Sequence, residues 1–249
     1  MGAHWTDGFF DSNFAQVMAK RDSEPTHQQV DLIVEKTGVT QGSRVLDACC
    51  GFGRHSLELA RQGFDVVGVD RFESYLQEGR RRASEERLSV EFIPMDVRNL
   101  QFQGEFDLVI NMWTSFGFFD EETNASILRS FKACLEPGGA LFMQLINRDW
   151  VVKNFQPRGW WEVDDELIVI ERRELDLATS VIKGEWRFLR GGKIEDKQMI
   201  LRIYSCHEFF SLLRSCGFAG MEAYGDSEGN PLTPDSRMMS IKAISSKQG

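Results

Sequence analysis

Three aspartates, Asp47, Asp70 and Asp96, each close a short apolar run, and the first opens onto the turn Ala48-Cys49-Cys50-Gly51-Phe52-Gly53. A carboxylate at the end of a buried strand is costly unless hydrogen bonds or a cation receive it. Gly51 and Gly53 let the backbone bend sharply and approach a ligand, and Cys49 is small enough for a third close position. Such a turn at the start of a helix is the usual seat of a pyrophosphate. Two residues oppose that use here. Asp47 would repel the phosphates, and Ser56 stands where G-x-G-x-x-G needs its last glycine.

A ligand carrying a nucleoside and a cationic amino-acid end, without phosphate, suits these residues better. Asp70 lies 17 positions after Gly53, where an acid can accept from both ribose hydroxyls. Asp96 can accept from an adenine amino group. His55 sits in the first helical turn after Gly53, which favours the neutral imidazole, and is a candidate for contact with the reacting groups. Farther along, Trp113 follows "FDLVINM", and Asn147, Arg148 and Asp149 follow "GGALFMQLI". Open α/β sheets bind ligands outside the carboxyl ends of their strands. Trp113, Ser115, Phe116, Asn147 and Arg148 are therefore expected to wall a pocket for a second ligand, the rings excluding water. Arg148 can admit a carboxylate or phosphate on that ligand, and with His55 it is a candidate for a catalytic role. The cysteines lack paired metal-ligand spacing and no metal constellation is visible, so a metal-independent reaction is expected.

An alternation of periods positions these residues. "RVLDAC" reads as a strand, "RHSLELARQG" as a helix closed at Gly63, "FDVVGVD" as a strand and "SYLQEGRRRASEE" as an amphipathic helix. "SVEFIPMD" and "EFDLVINMW" are further strands, followed by the helix "EETNASILRSFKACL", a Pro137-Gly138-Gly139 turn and the strand "GGALFMQLIN". This rhythm means right-handed crossovers and a parallel sheet. Near-continuous apolar runs agree, because such a sheet is covered on both faces. The fold class is thus α/β, a doubly wound, mostly parallel, seven-stranded sheet over 41–150 and 205–249. The helix "SCHEFFSLLRSCG" and the strands "AGMEAYG" and "MMSIKAIS" complete it. Helical periodicity over "FFDSNFAQVMAKR" and "EPTHQQVDLIVEKTG" predicts an N-terminal helical cap at 1–40. Between 151 and 204 the alternation stops. Three strand-like runs there predict an inserted antiparallel β meander, with one apolar face that its own domain or a partner must cover.

The 249 residues are 42% hydrophobic and 27% charged, with a net charge of −9. No basic field supports a duplex nucleic acid partner. The apolar runs are strand-sized, so no membrane segment is expected, and the N-terminus lacks a signal-peptide core. Five cysteines, an odd number, read as reduced thiols of a cytoplasmic protein.

The segment from Asp47 to Gly53 resembles the first motif of the class I S-adenosylmethionine-dependent methyltransferases, an acid followed by x-G-x-G-x-G, with Cys49 replacing the first glycine. "VVGVD" is similar to the acidic second motif, "MDVRNL" to the adenine-binding motif, and "LEPGGALFM" to the motif after the fourth strand. The resemblance covers nearly the whole chain and implies a Rossmann-like fold with S-adenosyl-L-methionine as cofactor. The cofactor-binding residues it implies are Asp47, Ala48, Cys49, Gly51, Gly53, His55, Asp70, Arg71, Asp96, Val97, Asn111 and Met112. The reaction it implies is methyl transfer to N or O of a small metabolite. "MWTSFGFF" and the meander resemble small-molecule N-methyltransferases, including those acting on amino-sugar nucleotides. In that branch the insertion would be a lid over the acceptor or the interface of a homodimer. Two alternatives stand beside this reading: an NAD(P)-dependent oxidoreductase, which Asp47 and Ser56 disfavour, and a non-catalytic S-adenosylmethionine-binding protein.

Overall fold

The computed structural model describes residues 4–10, 12–20 and 25–246. Three helices come first, α1 (Thr6–Phe9), α2 (Ser12–Lys20) and α3 (Thr26–Thr37). The alternating region follows as β1 (Arg44–Ala48), α4 (Arg54–Arg61), β2 (Asp65–Asp70), α5 (Glu73–Glu86), β3 (Val90–Pro94), β4 (Phe106–Asn111), α6 (Glu121–Cys134) and β5 (Leu135–Ile146). A short helix, α7 (Arg148–Lys153), leads into β6 (Arg158–Glu162), β7 (Leu167–Asp176), β8 (Val181–Arg190) and β9 (Lys193–Arg202). The chain closes with α8 (Cys206–Ser215), β10 (Phe218–Tyr224) and β11 (Met238–Ser245).

The main sheet runs β10-β11-β5-β4-β1-β2-β3. The first five strands are mutually parallel, and β11 is antiparallel to both β5 and β10. From β1 the chain builds outward through β2 and β3, then returns to place β4 on the other side of β1. That reversal opens a crevice at the carboxyl ends of β1 and β4. Alternation along the strands fills both faces. Val45, Leu108, Ile110 and Phe142 pack with Val30 and Ile33 of α3 and Leu59 of α4. Leu46, Val69, Val109 and Leu141 pack with Leu128 and Phe131 of α6 and Phe209 of α8. Each such side chain contributes about 1.5–3 kcal/mol of burial.

Two boundaries differ from the sequence reading. The Pro137-Gly138-Gly139 stretch is not a turn ahead of the fifth strand but an irregularity inside it. Leu135 already pairs with Phe106, and the register slips before Leu108 meets Ala140. Gly138 takes φ +92°, and a Cβ on Gly139 would sit 3.1 Å from the Asp107 carbonyl oxygen. Glycines inside an irregular strand look like a turn from sequence alone. The insertion has four strands rather than three, in the order β6-β7-β8-β9. The extra one, β6, is short and carries Arg158, Trp160 and Glu162 on an exposed face.

The insertion's inner face is covered by the chain itself. Leu167, Val169, Trp186 and Phe188 enclose a cluster with Phe9 of α1 and Val17 of α2. Ile182 and Leu201 join Val151 of α7, with Phe118 packed against them. The outer face keeps Trp160 (68% exposed), Ile170 and Ile194 in solvent.

Candidate active site

The turn after β1 is tightly wound. Cys49, Gly51 and Gly53 all take positive φ, at 65°, 57° and 75°. The two glycines have different reasons to be there. A Cβ on Gly53 would lie 2.5 Å from the Phe92 ring, so this glycine lets α4 meet β3. A Cβ on Gly51 would meet nothing within 4 Å. Open space beside a bent backbone is what a ligand needs.

The acids stand around that space. Asp70 is aimed by the turn: its Oδ2 accepts from the Gly51 amide at 2.9 Å and its Oδ1 from the Phe72 amide at 3.0 Å. Each oxygen keeps acceptor capacity for a further donor. Burial raises its pKa, while the Phe72, Gly51 and Arg71 amides work in the opposite direction. Asp47 is 2% exposed and its Oδ2 accepts from Ser56 Oγ at 2.6 Å. Burial pushes its carboxyl up to about 6; the Ser56 hydrogen bond and the Arg54 charge oppose that rise, and Asp70 adds to it. Asp96 is gripped by Arg98, whose Nε and Nη2 donate at 2.9 and 2.6 Å. Burial works against this carboxylate, yet the Arg98 hydrogen bonds and charge hold its pKa below the ordinary value.

The other expected residues fall into two groups. Ala48 and Met112 are buried in the cores on the two faces of the sheet and Val97 packs against the first of them, while Asn111 Nδ2 donates to the Ala48 carbonyl at 2.9 Å. The buried Asn111 Oδ1 has no hydrogen-bond partner. Trp113 and Thr114 leave β4 with positive φ, at 62° and 58°, and Ser115 Oγ donates to the Met112 carbonyl at 2.8 Å. Several expected side chains are already engaged by the protein. His55 is 4% exposed, with Nε2 2.9 Å from Gln29 Oε1, and burial with the Arg54 charge holds its pKa well below the usual range. Phe116 packs in the main core against Tyr204 and Phe209. Asn147 donates from Nδ2 to the Thr233 and Ser236 carbonyls and accepts from the Asp149 amide. Arg148 donates from Nε to Ser180 Oγ at 2.8 Å, tying α7 to the β7–β8 connection.

A roof closes over the Asp70 side, and sequence reasoning missed how. Arg71 donates to Thr6 Oγ1 at 3.0 Å and to Asp7 Oδ1 at 2.6 Å. Trp5 Nε1 donates to the Phe118 carbonyl at 3.3 Å, and the rings of Trp5 and Phe10 lie 5.4 and 5.5 Å from that of Phe118. Lys197 Nζ donates to the Gly8 carbonyl at 2.8 Å, joining α1 to β9. Charged and aromatic residues in the first ten positions were the available signal, but no spacing rule connects them to Arg71 or Phe118.

Residues 45–139 match a family model described as a methyltransferase domain. Over those residues the chain is similar to a methyltransferase domain. This match sets the dinucleotide alternative aside. The chain is 25% identical over 242 residues to the putative methyltransferase YqeM of Bacillus subtilis, covering 94% of this chain and 96% of that one. Among solved structures, an S-adenosylmethionine-dependent methyltransferase from Clostridium acetobutylicum aligns with a TM-score of 0.78 at 17% identity, over 91% of this chain and 94% of that one. The S-adenosylmethionine-bound CalS10 of Micromonospora echinaspora, an amino pentose methyltransferase, aligns with a TM-score of 0.67 at 18% identity, over 96% and 99%. Both likenesses are of fold, and they include the inserted sheet in the length they cover.

The methyltransferase domain fits its cofactor on local grounds. Asp70 is held by the Gly51 and Phe72 amides, and the buried side-chain oxygen of Asn111 lacks a donor. Among the described residues no group of three or more His, Cys, Asp or Glu could hold a metal ion, and no helix is long and apolar enough to cross a membrane.

Proposed function

We propose that the protein methylates an N or O atom of a small-molecule acceptor held between the carboxyl ends of β4 and β5 and the inserted sheet. The observation that carries this reading is the roof. Asp7, Trp5 and Lys197 fasten α1 to Arg71, Phe118 and β9, which supports a crevice covered by the protein's own chain rather than open to a macromolecule. The net charge of −9 supports the same choice against nucleic acid.

A sulfonium supplies a methyl group that is already electrophilic, so the chain has mainly to bind and align. Asp70 would hold the ribose hydroxyls and Asp96 with the Val97 backbone the adenine, the latter sharing its carboxylate with Arg98. Trp113, Ser115 and Arg148 would face the acceptor; Arg148, fixed by Ser180, would orient its polar end. His55, bonded to Gln29, serves the α3–α4 contact, and no proton transfer is assigned to it. An amine acceptor would have to arrive neutral. The likeness in fold to an amino pentose methyltransferase supports a polar, sugar-sized acceptor.

We also propose pairing with a second copy through the outer face of the insertion. Trp160 and Ile170 are cross-strand partners there and both are exposed. Arg172 and Glu185 lie beside them as an exposed charge pair. Light scattering at tens of micromolar should give a dimer. The five free cysteines support a reducing, cytoplasmic setting.

A methyl-acceptor library screened with S-adenosylmethionine tests the main reading. Turnover should appear with a small polar acceptor, and Arg148→Ala should lower it at least tenfold while S-adenosylhomocysteine binds as in the parent. No turnover with any small acceptor, despite cofactor binding, would leave the inert-module alternative in place.

A further inference from the structure

His4 lies just ahead of α1, and its hydrogen bonds to Thr6 fit together in one way only. The Thr6 amide is 3.4 Å from His4 Nδ1 and can only donate, so Nδ1 is the unprotonated ring nitrogen. Thr6 Oγ1 stands 2.8 Å from the same nitrogen and accepts from Arg71 Nη1 at 3.0 Å. A guanidinium cannot accept, so the hydroxyl gives its own proton to Nδ1. The result is a directed chain from Arg71 through Thr6 to His4. Thr6 is 2% exposed, so its hydroxyl has no solvent to turn to. Asp7 closes the arrangement, with Oδ2 accepting from the His4 amide at 2.9 Å and Oδ1 from Arg71 Nη2 at 2.6 Å.

Cations crowd the ring. His4 lies 4.9 Å from the Phe119 ring, and the Arg98 guanidinium carbon lies 4.7 Å from that same ring. Arg71 faces His4 from the end of β2 and Arg98 from the segment after β3. Against them stand Asp7 on α1, Asp96 in the grip of Arg98, and Asp120 at the start of α6. Burial holds the His4 pKa below the ordinary imidazole value; Arg98 and Arg71 push the same way, and Asp7 and Asp96 oppose them. A docked α1 therefore binds this proton less tightly than a freed one. Docking weakens as pH falls through the ordinary value of about 6.5. A proton on Nδ1 would set one N–H against another at the Thr6 amide and displace the hydroxyl proton, both in a buried place.

We propose that His4 is a pH-sensitive latch: protonation at Nδ1 breaks the chain from Arg71 through Thr6 and frees α1 from the crevice. The latch is a property of this chain alone; what it retains, S-adenosylmethionine or its product, rests on the cofactor reading above. Hydrogen exchange in the ligand-free full chain tests the latch, and stopped-flow release of S-adenosylhomocysteine tests what lies beneath it. Corrected for intrinsic exchange, protection of residues 4–10 should fall by about fivefold or more between pH 7.5 and 5.5. His4→Asn, whose side-chain oxygen accepts from Thr6 and does not titrate, should change by less than about twofold. Thr6→Val, which keeps the shape and removes the hydroxyl, should be as weakly protected at pH 7.5 as the parent is at pH 5.5. Release should quicken at low pH more in the parent than in His4→Asn, a comparison in which the titration of Asp47 is common to both. Equal pH dependence of protection in parent and His4→Asn would overturn the latch. Latched protection with equal release rates would overturn its place over the cofactor. Latched protection in a protein that binds no S-adenosylhomocysteine at either pH would uphold the latch and overturn the cofactor reading instead.

Discussion

The floor of the site and its roof are held in different ways. In the floor, Asp70 is fixed by amides 19 and 2 residues away, and Asp47 by a serine 9 residues away. In the roof, Arg71 reaches Asp7 across 64 residues, Trp5 reaches Phe118 across 113, and Lys197 reaches Gly8 across 189. The floor is one β-turn-α unit and its neighbour, shaped as soon as β1 and β2 pair. The roof exists only when the N-terminal helix, the segments after β2 and β4, and the insertion have all arrived, so its loop-closure cost is larger and its contacts form later. A floor of this kind can keep its shape while the roof opens.

Trp186→Ala should produce the largest effect and separates the two regions. The ring is buried among Phe9, Phe14, Trp161 and Phe188, and its Nε1 donates to Glu171. Truncation should cost about 3–5 kcal/mol in denaturant unfolding. S-adenosylhomocysteine affinity, measured where the variant is still folded, should change far less. A parallel collapse of affinity would show that floor and roof are one unit.

The second test concerns pH and the floor alone. Burial lifts the folded-state pKa of Asp47 to about 6, against the Ser56 bond and the Arg54 charge and with help from Asp70. The unfolded value is about 3.9. The folded state thus binds this proton more tightly. The associated stability is present below about pH 4 and lost as pH rises through 6, on the order of 3 kcal/mol in all. Asp70, also raised by burial, acts with the same sign. Asp47→Asn should flatten the ligand-free stability profile between pH 4 and 6.5. An unaltered slope would assign the proton elsewhere.

Asp70→Ala should weaken S-adenosylhomocysteine by about 2 kcal/mol, roughly 30-fold, through loss of charge-assisted bonds to the ribose. Part of that loss would be indirect, because the Gly51 and Phe72 amides lose their acceptor too. Parent-like affinity would remove the ribose from Asp70. Cys49→Gly should do least. Relief of a left-handed residue is worth about 1 kcal/mol, and the added freedom of the unfolded chain offsets about 0.4–1 kcal/mol of it. Scanning calorimetry should find the midpoint shifted by no more than about 2 °C. A large drop would reveal a role for the thiol that its φ of 65° does not suggest.

The same contrast explains what could be read in advance. The α/β architecture, the seven strands and the position of the glycine turn follow from residues close together in sequence, where apolar period and turn chemistry agree. Asp47, Asp70 and Asp96 were legible because strand ends are. What each acid touches was partly hidden: nothing in "MDVRNL" says that Arg98 turns back to grip Asp96. His55 and Asn147 lie on the predicted elements, yet tertiary partners, Gln29 and the 233–236 loop, take up their hydrogen-bonding groups. Arg54 stands in plain view after Gly53, but its partners Thr26 and Trp113 are brought to it only by the fold.

The fastening of α1 over the crevice has a kinetic consequence. A spent cofactor lying on Asp70 beneath Arg71 would have no exit while Asp7, Trp5 and Lys197 keep their partners. Departure would then wait on the undocking of a four-residue helix held by the Arg71–Asp7 ion pair, the hydrogen bonds at Thr6, Trp5 and Gly8, and the buried Phe9 ring. In such an enzyme release rather than chemistry would set the turnover rate. Its maximal rate should vary with solvent viscosity and with changes at Asp7, and hardly at all with the nucleophilicity of the acceptor.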